Sequence, residues 1–66
     1  MPRKIRQLIA ELEHAGFQRV PGGKGAHRKF PHPRFAGAVI LSGKTGDDAL
    51  HYQEKQVRHA IHEVSQ

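Results

Sequence analysis

Residues 22–33 read GGKGAHRKFPHP, and the reading of this stretch decides how the rest of the chain can fold. The glycines open a turn. Pro31 and Pro33 close the run that follows, because a residue before proline is pushed to extended backbone and proline has no N–H for an interior ladder. Between these breakers, residues 26–30 fit a short strand. Side chains alternate between the two faces of a strand, so His27 and Lys29 share one face while Phe30 points to the other. Phe30 is then the inward anchor, and His27 faces out with Lys24, Arg28 and Lys29 around it as cations that attract phosphate. Arg28 conflicts with strict alternation, which puts it on the face of Phe30. It must lean out over a sheet edge, or a bulge must shift the register.

Outward from this stretch, residues 17–20 are a second candidate strand, separated from it by the proline- and glycine-rich turn. Before them, Ile5, Leu8, Ile9 and Leu12 fall at i, i+3, i+4 and i+7, one face of an amphipathic helix over residues 4–15. Gly16 can take the left-handed conformation that ends such a helix, and Phe17 can then fold back on Leu12 in a Schellman ending. On the other side, residues 38–41 form a buried-type apolar run bounded by Gly37 and Gly43. The short connection to the preceding strand makes that pair antiparallel. After a polar loop over residues 42–50, Val57, Ala60, Ile61 and Val64 repeat the helical spacing over residues 52–64. No Ser, Thr, Asp or Asn stands just before that helix to mark its start.

The expected fold is therefore α+β, helix, three antiparallel strands, helix. Both apolar helix faces are buried side by side on one face of the sheet. The other sheet face, with His27 on it, stays open. A chain of 66 residues makes one small domain, residues 1–66, which buries only about 60% of the surface its unfolded chain exposes. There is no cysteine, which excludes a disulfide framework and thiolate zinc sites. The basic N-terminus spaces its apolar residues periodically and lacks the apolar block of a signal peptide or membrane span, so the expected location is cytoplasmic. Of the net charge of +5, residues 1–35 contribute eight Lys/Arg against two acids, and residues 36–66 three against four. Such a basic half favours polyanions, chiefly nucleic acid, or an acidic protein partner.

The helix ending in HAGF, the segment GKGAHRKFPHP, and the loop LSGKTGDDA followed by YQEKQVRHAI together resemble the HicA-type mRNA interferase toxins of bacterial toxin–antitoxin systems, over essentially the whole chain. The resemblance implies a double-stranded-RNA-binding-domain-like α-β-β-β-α fold. It also implies a metal-independent endoribonuclease of mRNA, with no cofactor, neutralised by a HicB-type antitoxin. The family's catalytic histidine maps onto His27. Ala26 departs from the family pattern, which has serine between the glycine and the histidine, so a hydroxyl is lost there.

The residue chemistry fits that expectation. Histidine titrates near neutral pH and can take a proton from a 2′-hydroxyl or give one to the leaving oxygen. The residues do not say which role His27 fills, and it cannot fill both at once. Lys24, Arg28 and Lys29 suit the holding of phosphate as RNA-binding residues. Two other function classes compete. A non-catalytic RNA-binding module of the same fold would need a lysine-dense start to the last helix, where this chain has Tyr52, Gln53, Glu54 and Lys55. A histidine-rich metal carrier would need ligands in a zinc-like spacing, which His59 and His62, or His27 and His32, do not complete.

Overall fold

The computed structural model describes residues 3–20 and 27–66. They run in the order α1 (Ile5–His14), β1 (Arg28–His32), β2 (Phe35–Leu41) and α2 (His51–Val64). Ile5, Leu8 and Leu12 are the buried face of α1. The end of this helix follows from Gly16, which lies at φ +97°. The Phe17 N–H donates to the Leu12 carbonyl at 3.0 Å and the Gly16 N–H to the Glu13 carbonyl at 3.1 Å, the two bonds of a Schellman ending. Phe17 is thereby delivered to the core, where it is 1% exposed.

A Cβ added at Gly16 would sit 3.0 Å from Nε2 of His32 in addition to the left-handed strain. Gly16→Ala is accordingly expected to lower stability by about 1–2 kcal/mol. Urea unfolding of the two proteins measures this, and an unchanged midpoint would contradict it.

The start of α1 is capped from a distance. The amides of Ile5 and Arg6 donate to the carbonyls of Asp47 and Thr45 at 2.9 and 3.1 Å, while Oε1 of Gln7 accepts the Lys4 N–H at 2.7 Å. The polar loop after β2 thus satisfies first-turn donors that a helix cannot satisfy itself. α2 begins one residue earlier than its apolar spacing implies. Oε1 of Gln53 accepts the Leu50 N–H at 2.8 Å, and its Nε2 donates to the Ser42 carbonyl at 3.1 Å. Gln53 is 2% exposed, and a buried amide is tolerated because both ends are bonded.

The sheet corrects the expectation of three strands. It has two, β1 and β2, paired antiparallel with Arg28 opposite Leu41, Lys29 opposite Ile40 and Phe30 opposite Val39. Residues 17–20 run beside β1, joined by an isolated bridge of Val20 to Lys29, yet they form no strand. The Gln18 and Val20 amides donate to the Pro31 and Lys29 carbonyls at 3.2 and 3.0 Å. Proline has no N–H to return the bond to Gln18, so the ladder stops there. Among the described residues the order is therefore α-β-β-α. The turn at 21–26, including the start of the strand expected at 26, lies outside them.

The two strands also run further than expected. β1 passes through Pro31 to His32, and β2 begins at Phe35. The register shifts between Pro31 and His32, where Ala36 and Gly37 are extra on β2, and Gly37 absorbs the bulge at φ +86°. Phe30, Val39 and Leu41 form the inner face and join Ile5, Leu8, Leu12, Phe17, Val57, Ala60 and Val64 in one core.

Candidate functional site

Directly opposed residues of an antiparallel pair lie on the same face, so Val20, Lys29 and Ile40 form one row across the outer side of the sheet. All three are exposed, Ile40 at 44%. Phe30, the next residue along β1, is completely buried. The alternation that the sequence implies is thus present at this step of the strand. His27 is exposed and immediately precedes β1, two residues before Lys29. This brings an imidazole and an ammonium, both exposed, to the start of one strand.

Arg28 faces inward by the register, opposite Leu41, and is half-buried. Its Nη1 donates to the Gly43 carbonyl at 2.6 Å. Of the two resolutions to the conflict over Arg28, the register is unshifted here and the side chain reaches past the end of β2. One of its donors therefore holds the loop that caps α1. Lys24, Ala26 and the glycine turn lie outside the described residues.

An open groove of about 610 Å³ continues from the Lys29 row along β1, lined by Gly16, Gln18, Arg19, Val20, Pro31, His32 and Pro33. His32 is half-buried in its lining, and no local signal in the sequence marks its role. Its Nδ1 accepts the Arg34 N–H at 2.9 Å. Its Nε2 lies 3.1 Å from the Ala15 carbonyl, and a carbonyl can only accept, so Nε2 carries the hydrogen. The ring also packs on Phe17 with centroids 4.8 Å apart. His32 is a latch between the C-terminus of α1 and the end of β1. The bond reaches a residue 17 positions away along the chain.

The cleft between α1 and α2, lined by Arg3, Gln7, Glu11, His14 and Ile61 among others, is of similar size, about 590 Å³. Its carboxylate, Glu11, is ion-paired with Arg3. Among the described residues no three His, Asp or Glu side chains cluster as metal ligands, and no helix is long and apolar enough to cross a membrane. His59 lies 3.6 Å from Glu63 on its own helix.

The model of one protein family, HicA toxin of bacterial toxin-antitoxin, matches residues 5–62. The chain belongs to the HicA toxin family. The match runs from the first residue of α1 almost to the end of α2, so it takes in the outer sheet row, His27 and both helices. It makes the chain the toxin of a toxin–antitoxin system, a kind of toxin that is generally a ribonuclease, with an antitoxin as its partner. No significant match was found among curated proteins or solved structures.

Proposed function

We propose that this HicA toxin is an endoribonuclease that cuts mRNA in the cytoplasm without a metal ion, and that a HicB-type antitoxin neutralises it. The observation that carries the reading is the partition at β1: Phe30 is completely buried, while Lys29 beside it and His27 before it are exposed. An imidazole is thereby held just before a strand whose position is fixed by the core.

In the reaction, the 2′-oxygen of a ribose attacks the adjacent phosphorus and the bond from phosphorus to the 5′-oxygen breaks. His27 either takes the 2′-hydroxyl proton or donates one to the departing 5′-oxygen, and water carries the other transfer. Lys29 faces the phosphate and offsets the charge that develops on its oxygens. Lys24 and Arg28 are the further cations assigned to RNA binding. The groove from Val20 to Pro33, with Arg19 at its side, accommodates a neighbouring nucleotide. The basic half of the chain is the surface to which an acidic antitoxin face is complementary.

The purified chain, treated with excess EDTA, is expected to cut RNA into fragments. An RNA that is bound and remains intact would favour the other reading, a non-catalytic RNA-binding module.

A further inference from the structure

The outward side of α2 carries a feature that cleavage at β1 does not use. Val57, Ala60 and Val64, with Gln53, are the buried side of this helix. At 3.6 residues per turn, positions 51, 55, 58 and 62 fall within roughly 60° of one another and roughly opposite that side. They are His51, Lys55, Arg58 and His62, all exposed. No acid interrupts them. The two acids of α2 are turned elsewhere: Glu54 is half-buried and lines the crevice toward α1 with Glu11 and Arg58, and Glu63 lies beside His59.

We infer that this stripe is a second RNA-binding surface, which holds the phosphate backbone away from the site of cleavage. The eleven residue steps from His51 to His62 cover about 16 Å, and a strand that advances about 3.4 Å per phosphate presents four or five phosphates over that length. Lys55 and Arg58 at its centre supply permanent charge, and the two histidines flank them with donors. Because α2 packs its buried side toward β2, the stripe and the Lys29 row face opposite ways. The Cα trace measures 29 × 29 × 17 Å, so a long RNA reaches both by crossing one edge, whereas a very short one occupies only one of them. The inference rests on RNA being the ligand, as proposed above, and concerns binding alone.

The test uses the full chain carrying His27→Ala, so that RNA stays intact, and a fluorescent 20-nucleotide polyuridine as probe. Adding Lys55→Ser and Arg58→Ser is expected to weaken binding roughly tenfold at low salt and to lower the slope of log affinity against log salt by about 1.4, since each single-strand phosphate contact contributes about 0.7. Arg6→Ser with Lys44→Ser, an equal loss of charge elsewhere, is expected to leave binding nearly unchanged. Circular dichroism verifies the fold of each variant. Unchanged affinity in the α2 variant, an equal loss in the control variant, or no binding by the parent would each overturn the inference. So would loss of binding to polyglutamate with RNA binding intact, which would assign the stripe to an acidic protein. Cleavage of the same RNA by the chain with native His27, assayed in parallel, reports separately on the ribonuclease reading.

Discussion

Phe30→Ala is expected to destabilise the protein by about 3 kcal/mol or more, the range for removing a buried phenylalanine from a core. Phe30 is completely buried opposite Val39 and within the cluster that joins both helices to the sheet. A chain of this size has a total stability of roughly 3–10 kcal/mol, so the variant stands close to unfolding at room temperature. Phe30→Leu, which keeps most of the volume, keeps the experiment readable and is expected to lose about 1 kcal/mol. Denaturant titration of both variants measures the series. A loss below about 1 kcal/mol for the alanine variant would mean that the inner and outer faces of β1 have been assigned the wrong way round.

His27→Ala is expected to do the opposite, leaving the fold alone and removing the activity. The side chain is exposed and outside the strand ladder, so its truncation should change stability by no more than about 0.5 kcal/mol. Cleavage of RNA, and growth arrest on expression, should fall by a factor of roughly 10² or more, the usual contribution of one general acid or base. A mutant that cuts at the wild-type rate, with contaminating nuclease removed by a second purification, would reduce His27 to a surface residue. A mutant that fails to fold would show instead that the imidazole supports the start of β1.

The difference between these two residues, adjacent but for Arg28 and Lys29, is legible in the sequence, because alternation is a local rule and Phe30 must be inside. The helices were legible for the same kind of reason, as was the end of α1, where Gly16 and Phe17 carry their signal within five residues of Leu12. What was not legible depends on partners far along the chain. Residues 17–20 look like a strand, and they do lie beside β1, but the missing N–H of Pro31 breaks the ladder. The inward Arg28 is held by the carbonyl of Gly43, 15 residues away. The start of α2 is marked by Gln53, which works from inside the helix instead of before it. His32 looks like part of a turn until the Ala15 carbonyl is beside it.

The α2 stripe belongs between these cases. Its spacing is present in the sequence, but its significance depends on which side of the helix is buried and on the Lys29 row facing the other way.

The central claim is that this toxin breaks RNA by using the RNA's own 2′-hydroxyl, activated or assisted by His27. The most direct measurement replaces that hydroxyl. An oligoribonucleotide cut at a mapped position is compared with the same oligomer carrying a single 2′-deoxynucleotide on the 5′ side of that position, with excess EDTA present throughout. The account predicts a 2′,3′-cyclic phosphate and a 5′-hydroxyl from the all-ribose strand, and no cleavage at the deoxy position. Equal cleavage of both strands at that position would contradict it, because the attacking oxygen would then come from water.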